Sequence, residues 1–121
     1  MNIDTHSSEA LLLEITEQNL YDKLVFQLQK DFERSNIQIT FFHAEILPKP
    51  EALISQIREK IYFLLMERFS DYLNLLYVID LPESTFKNLK VTDAVEVADQ
   101  VTFLILKREW QKVWYRNNYS K

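Results

Sequence analysis

PEALISQIREKIYFLLMERFSDYLNLLYVIDL, residues 50 to 81, is the stretch on which the fold turns. Leu53, Ile54, Ile57, Ile61, Leu64, Leu65, Tyr72, Leu75, Leu76 and Ile79 recur at three- and four-residue intervals. At 3.6 residues per turn they fall on one face of a helix of about eight turns. Pro50 suits the first turn, where its missing N–H is no loss. A rival reading ends the helix near Asn74 and makes 75–81 a buried strand, because Tyr77, Val78 and Ile79 are good strand formers. The spacing continues through Tyr72, Leu76 and Ile79, and that favours helix. Helix here means an all-α bundle. Strand here, joined by 11–15 and 37–42, means a small sheet with helices packed on it, an α+β fold.

The flanks lean the same way. Leu20, Tyr21, Leu24, Val25, Leu28 and Phe32 mark an amphipathic helix with Thr16 as its N-cap and an end near Ser35 and Asn36. Residues 10–15 fit a short strand or an extra helical turn. Ile37, Ile39 and Phe41 alternate with polar residues, but the apolar phase then shifts to Phe42, Ala44 and Ile46, as in a bulged strand or an irregular wrapping segment. Pro82 opens a short helix to about Leu89, and Thr92 or Asp93 caps a final helix running to about Arg116. The expectation is a single helical domain over 9–121, a bundle of about four helices with an irregular or short β segment near 37–42, preceded by a flexible 1–8.

The chain of 121 residues contains neither Gly nor Cys. Without Cys there are no disulfides, thiolate nucleophiles or sulfur-ligated metals. Without Gly, phosphate-cradling loops, the dinucleotide fingerprint and the strained serine elbow lose the residue that lets backbone approach a ligand or take positive φ. The same absence argues against two-residue hairpin turns and for long helices. The terminus up to Ser8 lacks Lys and Arg, and the apolar run 10–13 is too short for a signal or a membrane span, so the reading is a cytoplasmic protein away from membranes.

Function rests on the final helix, which is apolar on two sides. Val97, Ala98, Val101, Leu104 and Ile105 share one side. Phe103, Leu106, Trp110, Val113 and Trp114 share the other, and this aromatic side is the candidate partner-binding surface. The charge is also uneven. Residues 107–121 hold five Lys/Arg against one Asp/Glu, on a chain whose net charge is −4. Lys107, Arg108, Lys112 and Arg116 are therefore candidate anion-binding residues, with solvation of a helix C-terminus as the plainer reading. The acidic whole disfavours nucleic acid.

Arg68 interrupts the apolar face of residues 53–79 and Glu109 that of the final helix; a buried ion pair between them would answer both. His6 and His43 have no His or Cys three or four residues on, and the carboxylate pairs Glu67 with Asp71 and Glu96 with Asp99 lie off the apolar stripes. They give a metal-dependent enzyme only a thin basis, and no catalytic residue, metal or cofactor is assigned. The reading is a non-catalytic interaction module that self-associates, in the first instance as a dimer, or binds a protein partner through its last helix. Anion or nucleic-acid binding through 107–121 is the alternative.

Overall fold

The computed structural model describes residues 7–82 and 93–119 and shows an all-α protein. Its helices are α1 (Ser8–Glu17), α2 (Tyr21–Arg34), α3 (Pro50–Glu67), α4 (Phe69–Ile79) and α5 (Ala94–Tyr119). The short helix expected after Pro82 lies outside the described residues. Residues 10–15 and 75–79 are helical, so the α+β alternative falls.

α1 begins one residue after its N-cap, Ser7, whose Oγ accepts from the Ala10 N–H at 3.1 Å. Ser7 and Ser8 of the 1–8 stretch expected to be flexible thus belong to the cap and first turn of α1, and residues 1–6 lie outside the described residues. Thr16 is no N-cap: it sits inside α1, its hydroxyl donating to the Leu12 carbonyl at 2.7 Å. Asn19, in the left-handed region at φ 60°, reverses the chain into α2. Asn36 (φ 59°) and Asp80 (φ 68°) do the same after α2 and α4. Asn and Asp tolerate this conformation better than other non-Gly residues, and they fill the glycine role in a chain that has none.

Residues 37–49 run as an irregular segment, with no strand among the described residues. Gln29 of α2 holds it: its amide donates to the Ile39 carbonyl at 2.8 Å and its Oε1 accepts from the Phe41 N–H at 3.0 Å. One side chain thereby does what a neighbouring strand would do, and Phe41 is buried edge-on against Phe32. Further along, Ala44 (φ 51°) and Glu45 (φ 65°) form a tight turn closed by reciprocal bonds between His43 and Ile46, at 3.2 and 2.9 Å. This is the two-residue hairpin geometry that the absence of Gly argued against, built from an alanine and a glutamate.

The long helix expected over 50–79 is broken at Arg68, whose φ −142° and ψ 58° separate α3 from α4. A straight helix would drive the guanidinium into the apolar face between Leu64 and Tyr72. The break leaves it exposed, paired with Asp71 at 3.0 Å. α4 then turns Tyr72, Leu75, Leu76 and Ile79 inward onto α2 and α5.

α5 is the axle of the bundle and packs against each of the other four described helices. Its two apolar sides are both consumed in doing so: Val97, Ala98, Val101 and Ile105 are buried, and so are Leu106, Trp110 and Val113. Among the described helices none is long and apolar enough to cross a membrane.

Candidate functional site

The burial of α5 relocates the candidate surfaces. Leu106, Trp110 and Val113 are core residues of their own chain, and Phe103 and Trp114 are half-buried against that core. The aromatic side proposed for partner binding is thus occupied within the monomer, because α5 sits at the bundle centre and not at its edge.

The four cations of the basic segment divide. Arg108 clamps the end of α4, its Nε donating to the Asp80 carbonyl and its Nη2 to Asp80 Oδ2, both at 3.0 Å. Lys112 points inward. Lys107 is half-buried, and Arg116 alone of the four is exposed. The anion-binding set therefore does not exist as a surface patch.

Nor does the proposed ion pair. Arg68 meets Asp71, while Glu109, fully buried, faces Lys112, whose Nζ lies 2.8 Å from Glu109 Oε1, and Asp31 of α2. Lys112 Nζ also donates to Asp31 Oδ2 at 2.9 Å, and Gln27 donates to the same oxygen at 3.1 Å. The four side chains make a polar knot between α2 and α5. Burial pushes Glu109 up to about 8, helped by its hydrogen bond with Asp31 and opposed by Lys112. Burial works to raise Asp31 too, but hydrogen bonds from Glu109, Lys112 and Gln27 outweigh it and hold Asp31 below its usual range. The knot thus sets two buried carboxylates, one displaced upward and one downward, against the Lys112 ammonium. Asp31 and Gln27 carried no special signal in the sequence, since each is a polar residue of an amphipathic helix.

In front of the knot, between α2 and the C-terminal part of α5, lies a groove of about 480 Å³ lined by Lys23, Phe26, Gln27, Lys30, Val113, Arg116 and Asn117. Lys23 Nζ donates to Asn117 Oδ1 at 3.3 Å, joining the two helices. Phe26 is 61% exposed, its ring backed by Phe42 at 5.0 Å.

A second surface lies on α3 and α4. Tyr62, Phe63, Met66, Phe69, Leu73 and Tyr77 are between 40% and 83% exposed. Tyr62, Phe63 and Met66 lie on the side of α3 away from the buried Leu53, Ile57, Ile61 and Leu64, and Phe69, Leu73 and Tyr77 recur every four residues along α4, off its buried Tyr72, Leu75, Leu76 and Ile79. The signal was in the sequence: this stretch is apolar on two sides, just as the last helix is.

Of the polar residues weighed for chemistry, His6 lies outside the described residues. His43 is exposed in its turn. Asp99 pairs with Arg58 at 3.6 Å and Asp71 with Arg68. Among the described residues no three His, Cys, Asp or Glu side chains lie close enough to hold a metal ion. Comparisons of the chain with protein-family models, curated proteins and solved structures found no match.

Proposed function

We propose that this protein is a non-catalytic interaction module that self-associates through the outward face of α3 and α4. The observation that carries the reading is the row Tyr62, Phe63, Met66, Phe69, Leu73 and Tyr77, left to solvent beside a closed core. Large apolar side chains left exposed on two consecutive helices are what an interface needs, whereas scattered ones would signify nothing.

Charge selects the occupant. Between residues 58 and 77 the charged side chains are Arg58, Lys60 and Arg68 against Glu59, Glu67 and Asp71. The face is therefore neutral on a chain of net −4, so it gives a strongly acidic or basic partner no grip and lets a second copy approach without repulsion. Two-fold pairing of identical patches is the commonest way such a face is closed.

Sedimentation velocity over a concentration series tests this on the wild type and on Met66→Glu with Tyr77→Glu, two exposed positions. A wild-type dimer and a monomeric variant of unchanged helical content is the expected result. A wild type that stays monomeric at high concentration, or a variant that still dimerises, overturns it.

A further inference from the structure

We propose that the groove between α2 and the C-terminal part of α5 binds a small amphipathic anion, an acyl chain or aromatic ring carrying a carboxylate or phosphate. The inference rests on helices other than those of the proposed docking face. It stands on three features of the groove.

The first is uncompensated charge. Lys23, Lys30 and Arg116 line the groove, and no carboxylate does. Among the other described cations Arg34, Arg58, Arg68, Arg108 and Lys112 each meet a carboxylate within 3.7 Å, while Lys49, Lys60 and Lys107 do not. Among the described residues none of the three groove cations has an ion pair, and Lys23 is held only by the neutral amide of Asn117. Three cations converging on one hollow place a concentrated positive field where a single anionic group would sit. The knot behind the groove does not cancel it, because Asp31 is balanced there by Lys112.

The second feature is an apolar wall. Phe26 lies three residues after Lys23 and four before Lys30, so all three share one face of α2. Its ring is largely exposed yet held in place by Phe42, and Val113 lines the α5 side. An anion with an apolar body would cover this ring, whereas a bare inorganic ion would leave it in water. The volume of about 480 Å³ is that of a small-ligand site.

The third is Gln27, which lines the same groove and is almost wholly buried. Its amide N–H is spent on Asp31, and its Oε1 has no partner. Buried acceptors are as a rule satisfied, so an unpartnered one on the groove wall marks this spot as polar and incompletely paired within the chain. A nucleic-acid strand fits less well: the groove neutralises one group, and the surrounding acidic chain repels a polyanion.

The test is an amide-resolved NMR titration of the full chain with octanoate, phenyl phosphate, inorganic phosphate and an oligothymidylate. Octanoate or phenyl phosphate should shift the amides of 23–30 and 113–117, and whichever binds more tightly identifies the acyl or phosphoryl class. Lys30→Glu with Arg116→Glu should weaken that binding at least about tenfold. Phe26→Ala should weaken both organic anions towards the level of inorganic phosphate. The substituted positions are exposed, so circular dichroism should be unchanged and a loss of binding reads on the site. The proposal is overturned if neither organic anion binds at millimolar concentration. It is equally overturned if charge reversal or Phe26→Ala has no effect, if inorganic phosphate binds as well as phenyl phosphate, or if the oligonucleotide binds more tightly than either.

Discussion

Glu109 and Lys112 are the residues whose chemistry the rest of the molecule must accommodate. Glu109 stands at about 8 against an ordinary value of 4.5, so between those limits the folded chain keeps a proton that the unfolded chain has released. Its contribution to stability is therefore full below about pH 4.5 and falls as pH rises through 8, with a limiting slope of about 1.4 kcal/mol per pH unit. Asp31 is displaced downward from 3.8, and its contribution has the opposite sign, present above that value and lost as acid protonates it. Denaturant melts of wild type from pH 5 to 9 should show stability declining towards alkaline pH. In Glu109→Gln, which imitates the protonated acid, the decline should be much reduced while the acid-side loss remains. Lys112→Met removes the nearer of the two cations beside buried Asp31 and leaves only the exposed Arg34 at 3.7 Å, a change expected to cost up to about 3–5 kcal/mol.

At the scale of elements, the chain solves each turn without glycine and carries the strain of doing so. Ala44 and Glu45 sit side by side in the left-handed region, where a Cβ costs roughly 1–2 kcal/mol per residue. Ala44→Gly should accordingly stabilise the protein by about 1 kcal/mol in equilibrium unfolding, less the entropy glycine returns to the unfolded chain. A loss of stability would mean that the turn is not closed as described. The elements themselves were legible to different degrees. The periodicity of 20–32, 53–64 and 97–113 found three helices, because burial on one side of a helix must write a period of 3.6 into the chain. The break at Arg68 was not legible as a break, though the residue was marked as an anomaly: a buried charge can be cured by pairing or by bending the backbone, and spacing cannot tell which. Residues 37–49 were left open because their backbone is held by Gln29, a side chain twelve residues before Phe41, and no local pattern records such a bond. The candidate site was least legible. Lys23, Phe26 and Lys30 read as the wet side of an amphipathic helix until α5 lays Arg116 beside them.

For the molecule as a whole, the central fact is the position of α5. A helix with two apolar sides must bury both, and the choice between an axle and a docking rod is made by how many other helices surround it. Here four do. Trp110, 1% exposed, stands in the middle of that contact, so Trp110→Ala should cost about 3–5 kcal/mol in thermal or denaturant unfolding. A residue at a protein–protein interface would instead leave monomer stability nearly intact. Because the segment that all the others close around is also the last described one along the chain, a ribosome would release α1 to α4 before the piece that completes them exists outside the exit tunnel. Those four would emerge with their inward leucines and isoleucines still uncovered. Until α5 emerges such a nascent chain could not close its core, so its most aggregation-prone interval, and its strongest call on a chaperone, would lie between the release of α4 and that of α5.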